Sequence, residues 1–490
     1  MLPVAAFCAL GLILLLHHEM WQDEWQAWLI ARDSPSLAAL FRNLRYEGHP
    51  GLWHLGLFLV SRLTPSPSGM QVLHLLVATG AVYLFLTYAP FTRLEKLLFI
   101  FGYFPLYEYC AISRNYGLGI LGLFAFCALY CAPPPRRYLL LALTLLLMCQ
   151  TNVYAVMIAM ALTTVLLMTA VRDSAAGTWK RLAVLIIALL GLGLAVIQLV
   201  PPADSNVAAG WRLDLTLPHL TDTLAAVWKS YVPIPAPTYH FWGTNVIPDP
   251  RWQALFSVFL LVFGLLLFIR QPVPLCLYVL GTAGILAFTY TKYPGSIRHH
   301  GHLFILFIAS LWLSSVSPPQ RMPSDLVQRL SDFCTANRHR VVLAILAAHL
   351  LAGAAAASLD LWFPFSASRE AALYIQQHRW DRGLILADAD DAASSVAGCL
   401  GRRLYYPASR GWGSFIVWNR ERQAEVKPEE LLRQSAELSR RYHQDALLLL
   451  NYELPPGKFP VTLLQKFTRS LVPQENYYLY LAPRASPEKH

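Results

Sequence analysis

Apolar runs that approach the thickness of a bilayer recur along most of the chain. They lie near 3–18, 70–89, 96–112, 116–132, 138–150, 154–171, 182–200, 252–270, 273–290, 302–316 and 341–359. A helix needs about 20 apolar residues to cross, fewer when polar caps finish the crossing. The pattern therefore predicts eleven spans in residues 1–360. The run GLWHLGLFLVSRL at 51–63 is too short to cross comfortably and predicts a helix in the interface. Pro3 to Leu16 looks like the apolar part of a secretion signal. It lacks a basic flank and a small-residue cleavage site, so it is expected to stay as the first span. After residue 360 the pattern changes to mixed periodicity. Helical stretches at 368–379, 390–399 and 428–442 alternate with strand-like GLILA (383–387), DALLLLN (445–451) and YYLYLA (477–482). That alternation predicts a small α/β domain over 361–490.

Charge gives the spans a direction. With the N-terminus cytoplasmic, the inside connections hold Arg93 and Lys96, Arg136 and Arg137, Arg172, Lys180 and Arg181, Arg270, and Arg321, Arg329, Arg338 and Arg340. The opposite side holds Asp23, Glu24, Asp33, Glu47, Asp204, Asp214, Asp222 and Asp249. This is the positive-inside asymmetry, and it places outer loops at 19–69 and 201–251 on the same side as the C-terminal domain. A full span at 51–63 would invert everything after it.

Composition agrees. The chain has 490 residues, 56% hydrophobic and only 14% charged, with mean hydropathy +0.42. A row of soluble domains would carry about a quarter charged residues. The net charge of +10 does not point to nucleic acid, because the basic residues sit at the ends of apolar runs, not on one polar face. Of eight cysteines, only Cys399 lies in the C-terminal domain, so that domain has no internal disulfide.

Candidate chemistry begins just after the first span, at His17-His18-Glu19-Met20-Trp21-Gln22-Asp23-Glu24-Trp25-Gln26-Ala27-Trp28. As a helix, this places Trp21, Trp25 and Trp28 on one stripe, expected to face lipid or to pack at the interface. Asp23 then points toward the protein interior, about 200° from Trp21, while Glu24 flanks the stripe. A carboxylate at the mouth of a bundle is costly unless it is paired or used. Capping or solvating a helix end is the plain alternative.

Further polar segments follow: Tyr46-Glu47-Gly48-His49-Pro50, Tyr107-Glu108-Tyr109, Ser113-Arg114-Asn115-Tyr116, and Lys292 to His302 with Arg298, His299, His300 and His302. Together, the Asp-Glu pair after the first span, the Gly-His-Pro step before a short helix and the Ser-Arg-X-Tyr turn resemble the GT-C glycosyltransferases. That integral-membrane class includes protein O-mannosyltransferases and aminoarabinose transferases, and the resemblance covers roughly residues 1–360.

The resemblance implies an α-helical polytopic fold with a C-terminal periplasmic α/β domain. It also implies transfer of a sugar from a polyprenyl-phosphate donor to a glycan, lipid or protein acceptor at the outer face of a bacterial inner membrane. Asp23 matches the family's catalytic acid position. A carboxylate there can take the acceptor's proton as C1 is attacked, with inversion. The leaving phosphate departs as an anion and needs positive charge instead of a second acid. Arg298, Arg114 and Lys292 are the candidates for that charge, with snorkelling at helix ends as the alternative for each. Glu47, His49, Glu24, Tyr116, His299 and His300 are candidates for sugar or acceptor binding. A divalent metal on the histidines is possible, although a hard cation prefers oxygen ligands. Glu108 is expected to partner Arg114. Gln150, Asn152 and Tyr154 are expected to cap helices, and Asp388, Asp390 and Asp391 to form a solvated helix start. Trp211, Trp228, Tyr231, Tyr239, His240 and Trp242 suggest interfacial packing, or a lid over sugar rings. A lipid flippase or transporter is the alternative from another class. It would show broken helices near mid-membrane, whereas these acids collect at one surface. A non-catalytic component of polysaccharide assembly is the third reading.

Overall fold

The computed structural model describes residues 1–133, 137–173, 177–206 and 210–484; Arg136 lies outside the described residues. Two helices open the chain: α1 (Leu2–His17) and α2 (Gln22–Asp33), which meet at a bend of 90°. Next come α3 (Leu37–Leu44), α4 (Leu52–Leu63), α5 (Ser68–Tyr88) and α6 (Arg93–Ile100). A π-helical segment (Tyr103–Ala111) precedes α7 (Tyr116–Tyr130), α8 (Tyr138–Cys149), α9 (Val153–Arg172) and α10 (Thr178–Leu199). The membrane part ends with α11 (Leu217–Tyr231), α12 (Pro250–Phe268), α13 (Pro272–Thr291), α14 (Ile297–Ser314) and α15 (Asp325–Trp362).

Every apolar run falls on helix, but fewer runs than eleven are full-length spans. Among the described residues six helices are long and apolar enough to cross a membrane, or seven if the bent α1–α2 pair counts as one. The run at 96–112 is divided between α6 and the π-helical segment, a local widening of the helix that often marks a functional site. The run at 302–316 belongs to α14, which is buried along almost its whole length. A helix shielded by its neighbours does not have to match lipid thickness. Two other expectations change. The loop before the last span is mostly helix, because α15 starts at Asp325, capped by Ser324. The outer segment 201–251 contains α11, capped by Thr216 and packed against α12 and α14. Tyr231 of α11 sits 5.2 Å from Phe307 of α14, ring to ring.

The C-terminal domain contains α16 (Ser368–Gln377), β1 (Leu384–Ala387), α17 (Asp390–Leu400), β2 (Leu404–Tyr406), β3 (Gly411–Gly413), α18 (Pro428–Tyr442), β4 (Ala446–Leu450), β5 (Thr462–Phe467) and β6 (Tyr477–Ala482). The sheet order is β3-β2-β1-β4-β6-β5. β1 runs parallel to β2 and β4, and β3, β6 and β5 are antiparallel to their neighbours. β1 and β4 are buried on both faces, as expected for the parallel centre of a covered sheet. Its cysteine is free, as are the others in the chain.

The domain is seated directly on α2. α17 packs against α2, and a Cβ added at Gly398 would run into the indole of Trp25. Gly398→Ala is therefore expected to cost about 1–3 kcal/mol through overpacking, read as a lower melting temperature of the detergent-solubilised protein. The same contact explains why the tryptophan stripe does not face lipid. Trp21 and Trp25 are 5% exposed and Trp28 is fully buried: Trp21 packs against Trp242 and Phe365, and the C-terminal domain and α4 cover the other two.

Candidate active site at the first helix corner

The corner between α1 and α2 is built around carboxylates. Glu24 Oε2 accepts from the Trp21 backbone N–H at 3.2 Å, closing a capping box at the start of α2. Its Oε1 accepts from the Ser113 N–H at 2.6 Å, which ties the Ser-Arg-X-Tyr turn to α2. Oε2 also meets His18 Nε2 at 2.9 Å, while His18 Nδ1 meets Asp360 Oδ2 of α15 at 2.7 Å. Glu24 is fully buried and does not reach the cavity described next. Both of its oxygens position backbone and His18, so it is not placed to touch a sugar or acceptor.

One residue earlier, Asp23 points the other way. It occupies the second position of α2, where the helix dipole favours a negative charge. Its Oδ2 receives Arg298 Nη2 at 3.0 Å and Arg114 Nη1 at 3.3 Å. Arg114 Nη1 also donates to the Asp23 carbonyl at 2.6 Å. Arg298 packs against a pair of touching indoles: its Cζ lies 4.8 Å from the Trp21 ring and 5.3 Å from that of Trp242, and the two rings are 4.7 Å apart. Such contacts contribute roughly 0.5–2 kcal/mol each and fix the plane of the guanidinium. Arg298 Nε is buried with no hydrogen-bond partner.

These groups open on a cavity of about 520 Å³. Asp23, Arg114, Arg298, Lys292, Glu47, His49, Tyr116 and His299 all line it. Asp23 and Arg298, 275 positions apart, thus meet in one space. Lys292 Nζ lies 5.0 Å from the Trp211 ring at the cavity edge. Glu47 and His49 come from the turn between α3 and α4, where Gly48 takes φ +65°, a conformation glycine adopts without strain. Burial raises the Glu47 carboxyl to about 7, against the Gln26 hydrogen bond and the Arg114 charge, which lower it. Burial lowers His49 to about 4, helped by Arg114, so His49 is neutral near pH 7 and its unpartnered Nδ1 is available to a hydroxyl.

Tyr116 and His299 form a fixed pair. The Ser296 N–H donates to His299 Nδ1 at 2.8 Å, and His299 Nε2 lies 2.8 Å from the Tyr116 hydroxyl. Since Nδ1 accepts from a backbone amide, the neutral ring carries its proton on Nε2 and donates to Tyr116. The tyrosine O–H is then free to donate to another acceptor. His300 is placed elsewhere, with Nε2 2.9 Å from the Pro294 carbonyl, and His302 Nδ1 lies 3.0 Å from the His299 carbonyl. Neither lines the cavity. His299 and His302 pack on the same Tyr116 and Tyr154 rings, and among the described residues no group of three or more His, Cys, Asp or Glu is arranged to hold a metal ion.

Other expectations are redirected. Glu108 does not pair with Arg114; it accepts from Tyr103 at 2.7 Å and from Trp242 Nε1 at 2.8 Å, and so supports the indole that covers Arg298. Asn152 caps α9 through Ala155 at 3.0 Å, whereas Tyr154 lines the cavity. The acidic run at 388–391 is not solvated. Asp390 is 2% exposed and bridged by Arg422 at 2.6 and 2.8 Å. Asp388 accepts from Tyr452 at 2.5 Å.

Asp391 lines the cavity together with Ser394, Ile416 and Trp418 of the C-terminal domain. Sequence reasoning missed this wall, because nothing local marks these residues as neighbours of Asp23. A second contact joins the domain to the same corner. Glu475, fully buried, accepts from the Gln22 N–H at 2.6 Å, and from Ser366, Tyr477 and Ser395 at 2.5, 2.9 and 3.3 Å. It satisfies the first free amide of α2, the helix that carries Asp23.

No protein-family model matches the chain, and no curated protein does. Among solved structures it is similar to ArnT from Cupriavidus metallidurans, in a crystal structure bound to undecaprenyl phosphate. The match has a TM-score of 0.51 at 11% identity and covers 99% of both chains, the C-terminal domain included. The chain is thus a multi-pass membrane protein that shares the fold of this ArnT structure along 99% of its length.

Proposed function

We propose that the chain is an inverting glycosyltransferase. It takes a sugar from a polyprenyl-phosphate donor and passes it to an acceptor on the periplasmic face of a bacterial inner membrane. The observation that carries this reading is the meeting of Asp23 with Arg114 and Arg298 in one cavity at the mouth of the helical bundle. The fold it shares with a structure bound to undecaprenyl phosphate supports the choice of lipid. A donor phosphate competes with Asp23 for the same two guanidinium groups, which frees the carboxylate to accept a proton. The acceptor hydroxyl attacks C1 on the face opposite the phosphate and gives that proton to Asp23. The C1–O bond to phosphate breaks, and the anion leaves onto Arg298, Arg114 and Lys292. Glu47, His49 and Tyr116, the last oriented by His299, hold sugar or acceptor hydroxyls. The basic inner loops support a cytoplasmic N-terminus, with the domain at 361–490 on the outer side beside the cavity.

The test is a panel of labelled polyprenyl-phosphate sugars given to the purified protein, with loss of label from the lipid counted and the anomeric configuration of the product read by NMR. Consumption of one monophosphate donor with inversion supports the reading. A protein that consumes none of them, or only a diphosphate-linked sugar, overturns it.

The Glu47 carboxyl adds a pH signature. Held up at about 7 by burial, it is neutral below that pH and charged above it. The added negative charge opposes an anionic donor, so KM for donor should rise as pH passes 7. Glu47→Gln should flatten that rise, measured as donor KM at about pH 6 and about pH 8.

A further inference from the structure

A second cavity, of about 420 Å³, lies on the other side of the α1–α2 corner. Where Gln22, Asp23 and Gln26 face the first cavity, Glu19, Met20 and Trp25 face this one. Three features define its chemistry. Glu19 Oε2 is buried and has no hydrogen-bond partner. Burial raises the Glu19 carboxyl to about 7, although Arg369 lowers it. Arg369 itself is exposed at the rim, beside Ser68 and Ser368. The floor is apolar and runs out of the protein. Leu15 and Leu16 line it, Leu16 is 70% exposed, and the exposed Leu12 and Ile13 continue the strip along α1 into the bilayer.

An unpaired carboxylate oxygen removed from water is costly, and it calls for a donor, best of all a cationic one. The rim guanidinium calls for an anion, of which phosphate is the best match. The leucine strip calls for an acyl chain. One molecule answers all three when its amine sits a few bonds from its phosphate. We propose that this cavity binds a bilayer phospholipid with a primary-amine headgroup, of the phosphatidylethanolamine type, with its ammonium on Glu19, its phosphate on Arg369 and a chain along Leu15 and Leu16. Phosphatidylglycerol has the phosphate but leaves Glu19 unpaired. Phosphatidylcholine has the charge but no N–H to donate. The site is built from α1, the start of α5, and α16 and α17, so a lipid there also joins the C-terminal domain to the membrane. The inference is independent of the sugar-transfer reading.

The protein is reconstituted into nanodiscs holding equal parts phosphatidylethanolamine, phosphatidylcholine and phosphatidylglycerol, then released, and its retained lipids are counted by native mass spectrometry. The wild type should be enriched roughly tenfold in phosphatidylethanolamine, the ratio expected for one charge-assisted hydrogen bond. Along the series with one, two and three N-methyl groups, retention should fall sharply at the third, which removes the last N–H. This arm needs no substitution and so does not depend on a variant folding. Glu19→Gln should abolish the preference over phosphatidylcholine, and Arg369→Gln should lower retention of all three. Retention in proportion to the bilayer, or a flat methylation series, overturns the proposal.

Discussion

Asp23→Asn is expected to lower the rate of sugar transfer by about 10²–10⁴-fold, the usual contribution of a positioned general base. Asparagine keeps the shape and can still accept from Arg298, whose Nη2 lies 3.0 Å from Asp23 Oδ2. It cannot take up a proton from the attacking hydroxyl. The loss should fall on kcat, with donor binding kept or strengthened, because the two guanidinium groups lose their internal counter-charge and turn fully to the phosphate. A proton-independent role for Asp23, such as bracing the arginines alone, predicts the reverse split. Label release under single-turnover conditions, with donor binding measured separately, distinguishes the two. Equal rates in variant and wild type would remove Asp23 as the base.

Arg298→Ala should be next in size, at about 10²–10³-fold in kcat, the cost of removing one donor aimed at developing charge. Arg298→Lys should recover only part of this. The guanidinium packs against the paired Trp21 and Trp242 rings with Nη2 on Asp23, and a lysine ammonium has neither the plane nor the second arm. Trp242→Leu leaves the charge but removes one wall, and should fall between the two. Arg114 shares the same carboxylate oxygen, so the Arg114→Ala, Arg298→Ala double variant should lose less than the sum of the single losses in free energy. Additive losses would place the two arginines on separate parts of the donor.

How much of this was legible in the sequence follows from the range of each interaction. The last strand, Tyr477–Ala482, and the helix Pro428–Tyr442 were legible to the residue, because a short run of β-prone tyrosines and leucines and a Pro-Glu-Glu start are local signals. The short strands Leu404–Tyr406 and Gly411–Gly413 were not; they owe their form to pairing with each other and with β1. α11 was hidden because only half of a short surface helix is apolar, and its partners lie on α12 and α14. At the site, the Asp-Glu pair drew attention correctly, but helical spacing alone could not divide the labour between them. That division comes from Ser113 and His18, which hold Glu24, and from Arg114 and Arg298, which face Asp23. The tryptophans were assigned to lipid or the interface because nothing near residue 25 announces a glycine at 398 that lets a second domain settle on them.

The hydrogen bond from Gln22 to Glu475 has a consequence for how the protein is made. Residue 22 leaves the ribosome 453 residues ahead of residue 475. Chains that stall, or that insert their helices but fail to deliver the C-terminal domain, therefore lack both the cap on the Asp23 helix and the wall formed by Asp391 and Trp418. On the proposed function, a chain without that domain has an unfinished cavity, so competence to react waits for the residues after 390.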